Sequence, residues 1–191
     1  MKNVTHRKSN PFGLQPDCSD LVPGYGDANA HFHVIGDHPG VHGGTDSGIP
    51  FTGMPGSERL QHALVEADLL EAAGTPPEMA KTYFSYLCMC AFEDGPTTAD
   101  YADLERFFDT ELRAITAHVL LPVGKRATEH VLGNYSARNG SVDMDELHAS
   151  ETQGAGWLIY PIKDPDDWID GDEQELIDAL VTLQQRDYRQ E

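Results

Sequence analysis

Cations are scarce in this chain, and lysine most of all. Its 191 residues hold 13 Lys and Arg against 32 Asp and Glu, a formal net charge of −19, and only five lysines. At low ionic strength such a surface repels a polyanion. In molar salt the screening length falls to about 3 Å, and an acidic, lysine-poor surface then keeps the protein hydrated and soluble. The charge therefore points to a salt-loving source and does not exclude DNA. Long apolar runs are missing too: none approaches the ~18 residues that a membrane-spanning helix needs. The opening MKNVTHRKSN has no apolar stretch of the kind a secretory leader carries. Three cysteines are too few for a disulfide framework, so a cytoplasmic place is expected. No internal repeat or low-complexity linker divides the chain, and a single domain over 11–191 behind a basic arm at 1–10 (Lys2, Arg7, Lys8) is expected. Neither G-x-x-x-x-G-K-[ST] nor a strand-borne G-x-G-x-x-G occurs, which sets nucleotide hydrolysis aside.

Strand-like and helix-like segments alternate. HFHVIG (31–36) reads as a strand that runs into a Gly/Pro-rich loop, DHPGVHGGTDSGIPFTGMPG. So long a loop inside a compact domain is usually functional. Ser57 is placed to cap a helix with Leu60, Leu64, Ala67 and Leu70 on one face, stopped by Gly74, Pro76 and Pro77. TYFSYLCMC (82–90) reads as a second strand. A helix after Thr98 carries Tyr101, Leu104, Phe108, Leu112 and Ile115 at helical spacing. AHVLLPV (117–123) is apolar throughout, as in a strand covered on both faces. Lys125 and Arg126 open the next helix, a polar excursion spans 134–153, GWLIYP (156–161) is a fourth strand, and Asp172 with Glu175 starts a last helix. The expected fold is α/β: a three-layer α/β/α sandwich around a four-stranded, mostly parallel sheet. Ligands of such sheets bind beyond the carboxyl ends of the strands, where the glycine-rich loop, Cys90 and Tyr160 are expected to converge.

The densest set of chemical groups lies in 36–53. Its glycines let backbone N–H groups approach a ligand, and Pro50 with Gly53 would present Phe51 as a flat platform. Asp37, His38, His42 and Asp46 stand in the same loop and could polarise water or a leaving group. Asp37 serves equally well as a turn cap. His31 and His33, with His38 and His42 nearby, also invite a metal site, although such spacing is common by chance. Cys88 and Cys90 read as buried inert thiols, and Tyr101, Phe107 and Phe108 as packing.

GDHPGVHGGTDSGIPFTG followed by GSERLQHAL resembles the first motif of the uracil-DNA glycosylase superfamily, above all its iron–sulfur branches, families four and five. Val41-His42-Gly43-Gly44 is similar to the insertion of family five. VPGYGDANAHFHVIG resembles the lead-in strand, YFSYLCMC the second motif strand, and AHVLLPVGKRATEHVLG the third strand and its helix. Together these cover roughly residues 10–165, and an acidic archaeal member would account for the charge. The resemblance implies removal of a damaged base from DNA: uracil is turned out of the duplex, stacked on Phe51 and cut from deoxyribose. It implies Asp37 and His42 as catalytic groups, and Gly36, His38, Gly40, Phe51, Tyr86 and Tyr160 as base-binding. Tyr86 falls where an asparagine that reads the base is usual, and Tyr160-Pro161 where His-Pro-Ser is usual. The family holds a [4Fe–4S] cluster with four cysteines, whereas Cys18 and Cys90 fall at cluster positions here and Leu104 near a fourth. No cluster and no metal cofactor is expected. The expected partner is DNA bearing uracil or another deaminated base, met by a monomer. The alternative is a degenerate member that binds DNA, a nucleobase or a partner without chemistry.

Overall fold

The computed structural model describes residues 8–138 and 140–188. Lys2 and Arg7 of the expected arm lie outside the described residues, and the chain is already in a strand at Lys8. In chain order the elements are β1 (Lys8–Ser9), β2 (Tyr25–Gly26), β3 (Phe32–Gly36), α1 (Pro39–His42), α2 (Pro55–Glu66), β4 (Leu70–Ala72), β5 (Glu78–Met79) and β6 (Thr82–Tyr86). There follow α3 (Thr98–Ile115), β7 (Val119–Pro122), α4 (Gly124–Tyr135), α5 (Met144–Leu147), β8 (Thr152–Gln153), β9 (Leu158–Ile159) and α6 (Asp172–Gln184).

The main sheet has seven strands in the order β1-β2-β6-β3-β7-β9-β8. Its four central strands, β6, β3, β7 and β9, run parallel and are the four that the apolar runs marked. The two-residue margins β1, β2 and β8 pair antiparallel and left no periodic signal. β4 and β5 form a separate ribbon.

Alternation along the strands divides the core into two layers. Val34, Phe84 and Leu121 pack with Leu60 and Leu64 of α2 and Leu176 and Leu180 of α6. Ile35, Leu120 and Ile159 face the other way, onto Phe108 and Leu112 of α3 and Val131 of α4. Helices on both faces of a parallel sheet are the expected α/β architecture. Among the described residues no helix is long and apolar enough to cross a membrane.

The helix starts differ from expectation by small, physically clear steps. α2 begins at Pro55 after Met54, and Ser57 uses its hydroxyl on the His42 carbonyl instead of capping. α3 is capped by Thr97 in a box with Asp100. α6 begins after Gly171, because Asp172 spends its carboxylate on Lys163 and on the Ile169 N–H. The cysteine expectation is corrected as well: Cys18 and Cys90 are joined by a disulfide, and Cys88 alone is a free thiol. Cysteine count therefore lends no support to a cytoplasmic place.

Candidate active site

β3 ends at Gly36, and the chain turns through Asp37 and His38 into the single turn α1. The His38 ring accepts the Gly40 N–H (3.1 Å), so these two residues satisfy each other at the turn. Burial lowers the His38 pKa, opposed by Asp37 and reinforced by His42 and Arg126. The return limb of the loop is zipped by its own backbone. Gly43 N–H bonds Pro39 O, Gly44 N–H bonds Thr52 O (2.9 Å) and Gly48 N–H bonds Gly44 O. A β-carbon on Gly43 would lie 2.1 Å from Thr52 O, a close approach that only glycine permits. The Gly43, Gly44 and Gly48 amides are thus already paired within the loop.

His42 is the hub. It is buried, and its Nδ1 accepts the Asp37 N–H at 3.1 Å. A neutral imidazole that accepts at Nδ1 carries its proton on Nε2. That nitrogen faces Asp164 Oδ2 at 3.4 Å, at ion-pair distance. Gly124, at φ +80°, leaves the space beside both: its missing β-carbon would sit 3.6 Å from Asp164 Oδ2 and 3.8 Å from His42 Nε2. Burial alone would raise the Asp164 pKa, but His42 and the Asp166 N–H outweigh it and hold the carboxyl below the usual range. Asp164 reaches this point from the turn after β9, which a buried Lys163 anchors through Asp145 (2.6 Å) and Asp172 (3.0 Å).

Asp37 is engaged on both oxygens. Tyr101 of α3 donates to Oδ1, and Arg126 of α4 stands 3.6 Å from Oδ2 with its guanidinium 4.5 Å over the Tyr101 ring. Asp37 is thus held between Tyr101 and Arg126, and the carboxylate that faces His42 Nε2 is that of Asp164.

Phe51 is not the presented platform that the motif suggested. Its ring is fully buried, and His42 stacks on it at 5.3 Å with 29° between planes. Its backbone is left-handed (φ +56°), held there by its N–H on the Tyr86 hydroxyl (2.8 Å) and by Gln61 donating to its carbonyl (2.6 Å). A strained φ persists where such contacts over-determine it. Tyr86 is also buried and fills the space beside Phe51 and Gly36. Tyr160 turns its hydroxyl to Glu151 and packs in the α2/α6 layer. Cys90 sits with Cys18, Cys88 and Leu104, so neither it nor Tyr160 joins the loop as expected. Asp46 is exposed on the loop. The histidines do not gather: His33 bonds Ser85 (2.6 Å), while His31 meets Tyr188. Among the described residues no group of three His, Cys, Asp or Glu side chains could hold a metal.

Sequence reasoning missed Tyr101, Arg126 and Asp164 as site residues. Tyr101 has the spacing of a packing residue, and nothing in the pattern separates it from Leu104. Asp164 did leave a trace, the Asp-Pro step after the last apolar strand, whose carboxylate accepts the Asp166 N–H.

The sequence profile of the Uracil DNA glycosylase superfamily matches residues 23–177, from β2 into α6. The chain belongs to that superfamily. It is 30% identical over 146 residues to a type-5 uracil-DNA glycosylase of Thermus thermophilus, covering 73% of this chain and 66% of that protein. To the type-5 uracil-DNA glycosylase of Pyrobaculum aerophilum it is 26% identical over 148 residues, covering 73% and 62%. This glycosylase-superfamily chain thus spans less than two thirds of the length of both relatives. An iron–sulfur cluster does not fit its residues. Four thiolates are the norm; the sequence has three cysteines, and two of them are bonded to each other.

Proposed function

We infer that the chain removes uracil or another deaminated base from DNA by hydrolysing the N-glycosidic bond. The observation that carries this reading is the facing pair at the rim: a neutral His42 with its proton on Nε2, 3.4 Å from an Asp164 carboxylate held ionised. As the glycosidic bond lengthens, negative charge grows on the base and positive charge on the sugar. The His42 Nε2–H donates to a carbonyl oxygen of the departing base. The Asp164 carboxylate faces the cationic sugar and takes the proton of the attacking water, whose oxygen bonds to the sugar carbon. Asp37 does not touch substrate in this scheme; its N–H fixes the tautomer of His42. The family match and the type-5 relatives support the same chemistry.

The partner on this reading is DNA carrying the lesion, met by a monomer in a salt-rich, archaeal cytoplasm, with no cluster involved. A second reading, a member that binds without excising, draws on the buried Phe51 and the filled space at Tyr86. Uracil-bearing single- and double-stranded oligonucleotides, incubated at molar salt and then treated with alkali, decide between them. Strand breaks at uracil are expected, and binding without breaks would leave the second reading standing.

A further inference from the structure

Tyr86, the last residue of β6, is a fully buried side chain with a polar end. Its ring lies 5.3 Å from Phe51 and 6.2 Å from His42, within 24° of the imidazole plane. The hydroxyl accepts the Phe51 N–H at 2.8 Å and donates to the Gly43 carbonyl at 2.9 Å. A β-carbon on Gly36 would stand 2.6 Å from the ring, so a residue with no side chain floors the space. Two aromatic walls, a glycine floor, one donor and one acceptor all belong to the strand-end loop that carries His42.

We propose that Tyr86 is a built-in occupant of the base slot, its six-membered ring and single oxygen taking the volume and both hydrogen bonds that a uracil-type base would use. A base enters only when this side chain is displaced. The occupant must satisfy a buried N–H and a buried C=O together, because either left bare is costly. A hydrocarbon ring does neither, whereas the imide edge of uracil, an N–H beside a C=O, does both. Contact with the tilted Phe51 ring adds the affinity common to aromatic pairs, while His42 stays at the margin of the slot, 6.2 Å from the Tyr86 ring. The phenol itself stays neutral, since burial pushes its pKa well above the ordinary value, and only the neutral hydroxyl both donates and accepts. The ligand class follows from this edge, and the choice of a nucleobase rests on the glycosylase reading above.

The test is binding of a free base, which is independent of excision. Uracil methylated at its glycosidic nitrogen, and the same base methylated also at the imide nitrogen, are titrated by NMR into the native chain, Tyr86→Ala and Tyr86→Phe at molar salt. Tyr86→Ala is expected to bind the first base and to melt higher in its presence, and to bind the second about tenfold or more weakly. Tyr86→Phe is expected to bind neither, its ring still filling the slot. The native chain is expected to bind about tenfold or more weakly than Tyr86→Ala. A folded Tyr86→Ala that binds neither base overturns the proposal. So does a native chain that saturates with base while its Tyr86–Phe51 proton contacts persist, a measurement that stands even if Tyr86→Ala does not fold. Base bound by Tyr86→Ala with no breaks in uracil-DNA would remove the catalytic reading alone. Breaks made by the native chain with no binding by the variant would remove this one alone.

Discussion

The two nitrogens of His42 are distinguished by what faces them: a backbone N–H at Nδ1 and the Asp164 carboxylate at Nε2. Asparagine in place of Asp164 keeps the shape but removes the charge that would face a cationic sugar. Asp164→Asn is expected to slow base release about a hundredfold with little loss of fold, read as the single-turnover rate of strand breaks. In the native protein the depressed Asp164 pKa keeps the carboxylate charged below the ordinary range, so the acid limb of the pH–rate profile should lie at unusually low pH and change in Asp164→Asn. Gly124 sits at φ +80° beside both side chains. An alanine there would be strained by about 1 kcal/mol or more, while its β-carbon would meet the pair only at ordinary van der Waals distance.

Between β3, β6 and α3 lies a second polar group that takes no part in the rim. Tyr83 donates to Glu111 (2.6 Å), and His33 pairs with Ser85 (2.6 Å), all buried. Burial raises the Glu111 pKa to about 7 and lowers that of His33 to about 3. The signs oppose. Glu111 binds its proton more tightly folded than unfolded, so its contribution to stability is present at acid pH and is lost as pH rises from about 4.5 to 7. His33 is held neutral, so its contribution is present above about 6.5 and is lost as pH falls toward 3. The native chain should show a shallow profile in the window the two share. Glu111→Gln should unmask a rise in stability with pH, and His33→Gln a fall, both read from urea midpoints across pH 4 to 8 and each of order 3 kcal/mol. At this scale the sequence was informative where packing is periodic. Leu60 and Leu64 of α2 and the apolar runs of β3, β6, β7 and β9 announced the two layers. It was silent on β1, β2 and β8, whose two residues carry no period. The capping residues shifted because Ser57 and Asp172 found stronger partners across the fold, on His42 and Lys163. The loop 36–53 drew notice through its glycines and histidines, but which carboxylate meets His42 depends on how the β3 and β9 ends converge, and no local pattern encodes that.

For the molecule as a whole, charge decides how it meets a polyanion. A net charge of −19 opposes DNA at low salt, and the cations Lys125, Arg126 and Lys163 are already drawn to Glu129, to Asp37 and to Asp145 and Asp172. Base release from DNA should therefore rise as potassium chloride is taken from about 0.1 M toward molar, where the screening length shortens from about 10 to about 3 Å. Ordinary DNA-binding proteins lose affinity over that range. The bond between Cys18 and Cys90, separated by 72 residues, closes a long loop over the β6 end. Its reduction should lower stability by about 4 kcal/mol by chain entropy, seen as a drop in melting temperature with dithiothreitol that Cys18→Ser reproduces.

The same screening removes the repulsion that keeps copies of an acidic protein apart, and unpaired strand margins then become places where one sheet can extend into the next. Among the described residues the sheet ends on β1 at one side and on β8 at the other, and β8 is only two residues long. So brief a border gives a neighbouring chain almost no ladder to copy. Lengthening the β8 border by a few alternating valines should make the protein form fibres as salt is raised.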